Sequence, residues 1–538
     1  MRASAADLMP KPLSPLFVTL GIPAQVEQMQ PLAKRLTGSE PVLADDYFTS
    51  INRYAYLNAY IPPKGWWWVL TGLLPMYPKM FSKLVPLWRN ELLPEYQALV
   101  ASKQVLLADH MSPSELWCEV RALVNAAAYY ISGLMFATMG ASAGSEGLLT
   151  NVYNKLAKQP GDPDATTLLM GWDNIPMRAG KSLYELAKWA GGDEALKKFI
   201  LETSSQELAA QLSEPEAVPI ALFPAFAECF RAHIEKFGHI VFQLDFAEPL
   251  PRDHPELLLE NIKMYLHGEG HDPYERQKTS EEKRIQTTKT MLERLRGLKR
   301  LVFRFALNWG QSMAAVREDA LAEIGLAYPK IRELLHELGS RLVKAGTIQQ
   351  ADDVYWLEKD DIETCVLKLE QNHRLEDLTR QVASRKAFNE RVAQMTPPPM
   401  IPLKKRVMGV KADVFLAQTQ ESQTGQVLKG VATSAGRVTA PACVIDGSED
   451  FDQMRPGDVL VAGTTTPAWT PLFAMASAVV TDIGGPLSHG SIVAREYGIP
   501  AVMGTGVATR RIQTGETITV DGTKGEVILE RLGEGLAA

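Results

Sequence analysis

The sequence predicts a multi-domain fold, with a large, mainly α-helical domain over residues 1–395 and a compact β-rich domain over 426–532. Three observations lead there. The 538 residues exceed what one hydrophobic core usually organises and fit roughly three domains, or one large domain with an appendage. From about residue 85 to 395, apolar residues recur at spacings of three and four, as in Leu183, Leu186, Ala187 and Ala190, or Leu334, Leu335, Leu338 and Leu342. Beyond a proline run, the texture becomes short β-branched segments punctuated by glycine.

Taken in order, residues 1–15 hold one arginine and then prolines without an apolar signal core, so a cytoplasmic chain is expected. Trp66, Trp67 and Trp68 fall in an apolar patch that Pro75 and Pro78 interrupt, which suits a pocket wall or a core. Residues 122–145 are uncharged and longer than the roughly 20 residues that cross a bilayer, but their Ala, Gly and Ser content is weakly hydrophobic. A buried helix and no membrane association are expected there. Capping boxes are read at Ser204 with Glu207 and at Thr279 with Glu282, and Gly191-Gly192 separates two helices. Extended pieces are expected at 239–244 and 354–357. Prolines 397, 398, 399 and 402 cannot be helical and open a stiff connector over 396–425. Strands follow at 436–440, 459–461, 478–480, 500–503 and 517–521, with one good helix at 490–497 and a tail at 533–538.

Composition narrows the function. With 56 Lys plus Arg against 63 Asp plus Glu, the net charge is −7, and no footprint for nucleic acid is expected. Cys118, Cys229, Cys365 and Cys443 stand far apart without a CxxC pair, which argues against a disulfide framework and a cysteine zinc site, and no metal site is expected.

Chemistry concentrates in residues 481–504, TDIGGPLSHGSIVAREYGIPAVMG. A buried strand runs into Gly484 and Gly485, whose missing side chains permit a tight turn and close approach of a ligand to backbone N–H groups. Ser488 is placed to cap the next helix, so His489 lies at its first turn, where unpaired N–H groups and the positive dipole end favour an anion. Gly490 completes that phosphate-cradling turn with Gly484, Gly485 and Ser488. The same field disfavours a protonated imidazole and suits a neutral nucleophile that accepts a phosphoryl group. The plainer alternative makes His489 a packed residue at a helix start.

The run GGPLSHGSIVAREYGIPAVMGTG resembles the phosphohistidine signature of the swivelling domain of PEP-utilising enzymes, among them PEP synthase, pyruvate phosphate dikinase and rifampin phosphotransferase. Residues 430–438, 465–471 and 515–522 are similar to that domain's opening turn, second loop and closing hairpin. The resemblance implies a C-terminal β/β/α swivelling phosphohistidine domain. The segments 237–249 and 271–276, Arg304, Arg317-Glu318, and 338–357 are similar to the acceptor domains of rifampin phosphotransferase and phenylphosphate synthase, which implies that the helical region binds substrate. No GxxxxGK[ST] or kinase motif is present, and the helical region does not resemble an ATP-grasp module.

The whole chain is most similar to the histidine and substrate subunit of the split phenylphosphate and 4-methylphenyl phosphate synthases. That resemblance implies Mg2+ and ATP held mainly by a separate ATP-grasp subunit, a covalent phosphohistidine at His489, and AMP and phosphate as co-products. It implies transfer to a phenolic hydroxyl, a group with a pKa of about 10. Arg317 and Arg304 are the candidates for neutralising the transferring group. His239, Asp245 and Asp319 are candidate bases, and Trp66, Tyr129, Met135, Phe136 and Trp309 candidate walls for an aromatic alcohol. The other readings are a component of a rifamycin-type antibiotic phosphotransferase and a non-catalytic phosphocarrier.

Overall fold

Packing divides the chain into two units that interleave along the sequence: residues 1–142, 243–248 and 323–404 form the first, and 143–242, 249–322 and 405–538 the second. The computed structural model describes every residue except 1–7, 43, 45, 46, 59, 61, 74–84, 104, 135–139, 214–219, 270, 271, 396, 399, 400, 402–405, 408, 409, 412–424, 486, 487 and 531–538. Most of the 396–425 connector and all of the 533–538 tail therefore lie outside the described residues.

The first unit is helical. Its principal helices are Ile22–Thr37, Leu93–Ser102, Pro113–Leu134, Tyr328–Lys344, Lys359–Glu370 and Thr379–Ala393. The long uncharged stretch is not one span, because it supplies the end of Pro113–Leu134 and the start of a second helix, Gly140–Val152. Among the described residues no helix is long and apolar enough to cross a membrane. The core is tied by aromatic hydroxyls that reach buried carbonyls. Tyr96 donates to Ile324 O at 3.0 Å, and Tyr328 to Leu244 O at 2.7 Å. A hairpin that hydropathy spacing does not announce pairs Phe48–Ile51 with Tyr54–Leu57, and Asn52 and Arg53 turn it at positive φ. The expected strand at 354–357 is instead the end of a 3-10 turn, Ala351–Trp356, because Asp353 Oδ2 folds back to accept the N–H groups of Gln349 and Gln350. The piece at 239–244 likewise forms no strand and runs as bends and turns.

The second unit joins a helical layer to a sheet. Its helices include α1 (Ile175–Ala190), α2 (Pro255–His267), α3 (Pro273–Arg294) and α4 (Gly297–Ala322). Asn174 caps α1 by accepting the Met177 N–H at 2.9 Å. Asp272 caps α3, so that helix starts before the expected Thr279 box, and the Thr279 hydroxyl bonds back to Glu275 O inside it. The Ser204 box is seen from one side, with Ser204 Oγ accepting from the Glu207 N–H.

The C-terminal part builds an eight-stranded sheet from β1 (Val427–Lys429), β2 (Val431–Ser434), β3 (Arg437–Ile445), β4 (Val459–Ala462), β5 (Ala478–Thr481), β6 (Ala501–Met503), β7 (Thr517–Asp521) and β8 (Glu526–Leu529). The strand order is β1-β8-β7-β3-β4-β5-β6-β2. Strands β3 to β6 are parallel, and their buried apolar runs need cover on both faces. The nine-residue β3 pairs antiparallel with β7 through Arg437–Pro441 and parallel with β4 through Ala442–Ile445, so one strand links two half-sheets. Three helices accompany the sheet rather than the single one expected: α5 (Thr470–Met475), α6 (His489–Tyr497) and α7 (Ala508–Arg511). The extra two are short, four to six residues, and too brief to show a helical period. One sheet face packs Phe451, Trp469, Leu472 and Phe473 against Met177 and Phe237 of the helical layer.

Candidate active site

The site begins at the end of β5, which is buried along its whole length. Asp482 follows, and its carboxylate accepts from the Ala508 N–H, from Thr505 Oγ1 at 3.0 Å and from Thr509 Oγ1 at 2.5 Å. That clasp fixes the loop against α7. Gly484 stands at φ +136°, and a side chain there would begin 3.0 Å from Ser488 Oγ. Only glycine suits both the backbone angle and the close approach. Ser488 occupies the N-cap position of α6, yet its hydroxyl does not cap the helix. It donates to Gly485 O at 2.9 Å, and Ser491 Oγ reaches the same carbonyl at 2.6 Å. The turn is therefore closed by hydroxyls, and the Ser488 side chain accepts from none of the N–H groups that open α6, while the Ser488 carbonyl accepts from the Ser491 and Ile492 N–H groups.

His489 is buried, with its side chain 5% exposed. Its Nδ1 lies 2.7 Å from Glu318 Oε2 on α4, a partner 171 residues away in sequence. Burial alone raises the Glu318 carboxyl, but His489 and Arg317 outweigh it and hold it below its ordinary 4.5. An ionised carboxylate only accepts, so Nδ1 carries the hydrogen and, in the neutral ring, the lone pair is on Nε2. Nε2 is buried with no protein hydrogen-bond partner among the described residues. The same holds for Thr465 Oγ1, which lies against Gly490, since a Cβ on Gly490 would sit 2.4 Å from it. Gly490 is thus the residue that admits the threonine hydroxyl at the first turn of α6. Phe473 walls the ring edge-on, with centroids 6.3 Å apart.

Two buried arginines supply positive charge. Arg317 Nε is 3.9 Å from Glu318 Oε1, beyond hydrogen-bond reach but within ion-pair range. Arg495 lies further along α6, where its Nε donates to Ser491 O at 2.8 Å. Glu146 shares their field. Burial raises its carboxyl while Arg495 and Arg317 oppose that rise. An imidazole with one nitrogen held and one open, a hydroxyl donor and two guanidinium groups can hold and release a phosphoryl group.

The structure places His489, Gly484, Gly485, Ser488, Gly490 and Arg317 in the second unit, which also holds Arg304, Trp309, His239 and Asp319, and it places Asp245, Trp66 and Tyr129 in the first. Arg304 is exposed on α4, 13 residues before Arg317, or about 20 Å along the helix. Trp309 is buried on the same helix, its ring 3.6 Å from where a Gly144 side chain would begin. His239 is buried in the second unit, and desolvation lowers its imidazole to about 4, with Arg252 adding to the effect. Asp319 is committed to Arg178 at 2.9 and 3.0 Å and to the Ile175 N–H at 2.6 Å. Asp245 belongs to the first unit, where its carboxylate takes the N–H and hydroxyl of Ser14 and the Ala247 N–H. Trp66 and Tyr129 are also in the first unit. Trp66 is 46% exposed, and Tyr129 is half-buried with its hydroxyl 3.2 Å from Arg35. Phe136 and Met135 lie outside the described residues. Glu318, Thr465, Glu146 and Arg495 are residues of the candidate site to which sequence reading gave no role. A carboxylate next to Arg317 was the available signal for Glu318, but nothing local pairs it with a histidine 171 residues on.

Residues 454–525 match the PEP-utilising enzyme mobile domain, and residues 133–318 match the rifampicin phosphotransferase fourth domain. The uncharacterized phosphotransferase YvkC of Bacillus subtilis is 35% identical over 287 residues, covering 53% of this chain and 34% of YvkC. The prodigiosin synthesizing transferase PigC of Serratia marcescens is 32% identical over 355 residues, covering 65% of this chain and 38% of PigC. Rifampicin phosphotransferase of Bacillus subtilis is 28% identical over 277 residues, covering 50% of this chain and 30% of that protein. The chain therefore spans about a third of the length of these curated relatives.

Proposed function

As a member of the PEP-utilising enzyme family related to rifampicin phosphotransferase, this chain, we propose, carries a phosphoryl group on His489 and hands it to the hydroxyl of a phenol or alkylphenol. The single observation that carries the reading is the state of the imidazole: Nδ1 held by Glu318 and Nε2 buried and open, while an equally open Thr465 hydroxyl lies against Gly490, the next residue. Two orphaned buried atoms fit a group covalently held at Nε2, because its oxygens would satisfy the hydroxyl. Mg-ATP, held by a separate ATP-grasp subunit, supplies the β-phosphoryl, with AMP and phosphate as the other products. Nε2 bonds to the β-phosphorus as that atom's bond to the AMP oxygen breaks, and a water then cleaves the β–γ bond, so that AMP and phosphate leave and one phosphoryl stays on Nε2. In the second half-reaction a phenolate oxygen bonds to phosphorus, the P–Nε2 bond breaks, its electron pair returns to Nε2, and the phenol proton passes to a base or water. Glu318 keeps Nδ1 protonated during that step, which makes the imidazole a better leaving group, while Arg317 and Arg495 face the charge of the moving phosphoryl.

The test is to incubate the protein with Mg-ATP, an ATP-grasp subunit and a phenol, and to follow phosphohistidine by mass spectrometry together with aryl phosphate and AMP. Full turnover by His489→Ala sinks the mechanism. The match of 133–318 to the rifampicin phosphotransferase domain favours one competing acceptor, a rifamycin-type antibiotic. Phosphorylation of that macrocycle in place of the phenol identifies it. Loading of His489 with no transfer to any alcohol identifies a phosphocarrier.

A further inference from the structure

The face of α6 that presents His489 continues to Val493 and Glu496, four and seven residues on, which are neighbours along one side of a helix. Glu496 is 5% exposed, and both its oxygens accept one N–H, that of Gly171, at 2.7 and 3.0 Å. The donor is built for this contact. Gly171 stands at φ +75°, and a Cβ on it would lie 2.4 Å from Glu281 N and 2.7 Å from Glu281 Cα, so the loop is pressed onto the backbone of α3. Beside it Arg284, also on α3, stacks over Trp172 at 3.7 Å and pairs with Glu281 at 3.0 Å. Next along α6, Tyr497 lies under Arg276 of α3 at 4.2 Å.

We infer that Glu496 is a positioning residue for the acceptor half-reaction: by clasping the Gly171 N–H, it sets how often the domain bearing His489 lies docked on the helical layer. The inference rests on the proposed carrier reading, in which that domain leaves to be loaded. One carboxylate on one N–H makes a weak and reversible clasp. Taking the charge out of water opposes docking, and the N–H, Arg284 and Arg495 favour it. The groups facing the carboxylate are Arg495 on α6, Arg284 on α3, Glu318 on α4 and the Gly171 N–H, with Glu281 behind Arg284. Burial, the largest influence, pushes its carboxyl up to about 7. A carboxyl raised on docking binds its proton more tightly when docked, so docking weakens as pH rises toward 7 and then levels off.

The experiment places fluorophores at Lys198→Cys and Lys524→Cys in the full chain, with the exposed Cys118 and Cys229 replaced by serine. It compares wild type with Glu496→Ala and Glu496→Gln, and measures loading of His489 from potassium phosphoramidate, which needs Nε2 uncovered. Glu496→Ala leaves the Gly171 N–H without an acceptor. The docked-to-undocked ratio should fall about tenfold and loading should quicken by a similar factor. Glu496→Gln keeps an acceptor and sheds the charge, so it should dock at least as well as wild type and lose the pH dependence. Identical distance distributions and loading rates in all three proteins overturn the inference. If His489 loads and transfers while Glu496→Ala docks as wild type does, the latch falls and the carrier reading stands. If the distances shift as expected but His489 never takes phosphate, the latch stands and the carrier reading falls.

Discussion

Replacing Glu318 by Gln isolates the electrostatic role of the carboxylate that holds His489. The side chain is 3% exposed, and its Oε2 sits 2.7 Å from Nδ1, so an amide oxygen of nearly the same shape can still accept the Nδ1 hydrogen. What is lost is the charge. A hydrogen bond to a charged group contributes about 1.5–3 kcal/mol against about 0.5–1.5 for a neutral pair. The difference of about 1–2 kcal/mol corresponds to roughly a 5- to 30-fold slower transfer from phosphohistidine. Loading should be unchanged, because α4 belongs to the acceptor side. The assay is single-turnover transfer from protein preloaded with phosphoramidate, with the ring tautomer followed by 15N NMR. The Glu318 carboxyl is held below 4.5, so its contribution is present above that value and is lost only as pH falls through the depressed one. The transfer step should therefore show no titration from Glu318 between about pH 5 and 8. If Glu318→Gln transfers normally, or slows loading instead, the assignment of Glu318 to the acceptor step is wrong.

Three further outcomes follow from the same geometry. Thr465→Val removes a hydroxyl that has no hydrogen-bond partner among the described residues, so the melting temperature should hold while transfer slows about tenfold, read in the same single-turnover assay. Gly490→Ala puts a methyl 2.4 Å from Thr465 Oγ1 and 3.2 Å from Met503 Cε, and calorimetry should show a loss of about 1–3 kcal/mol together with slowed transfer. Burial holds both His233 and His239 at about 4, below the ordinary 6.5, so each must be charged at a cost as pH falls. Stability should decline between about pH 6.5 and 4, and a urea midpoint that does not move across that window refutes the buried neutral state of both rings.

The sequence was informative where structure is local. Gly484 is explained by a turn and a close approach to Ser488 within one strand–loop–helix unit, and its place before His489 made it legible, whereas the close approach that requires Gly490 is to Thr465 and Met503, from outside that unit. The expected strand at 354–357 was misread because Asp353 folding back on the Gln349 and Gln350 N–H groups leaves no trace in hydropathy. Ser488 shows the same limit at finer scale. Its position at the helix start was legible, but the competing carbonyl of Gly485 that captures its hydroxyl was not.

Local order along the chain, then, set the helical region, the β-rich domain after the prolines, and a histidine at the first turn of a helix. Tertiary packing alone decided what that histidine meets. Glu318 comes from 171 residues away and Gly171 reaches Glu496 across 325, while Arg304, on the same helix as Arg317, is left in solvent. The reason is physical. Periodicity reports which face of an element is apolar, but a buried charge is tolerated only where a distant partner offsets its desolvation, and that partner is chosen by how the faces meet.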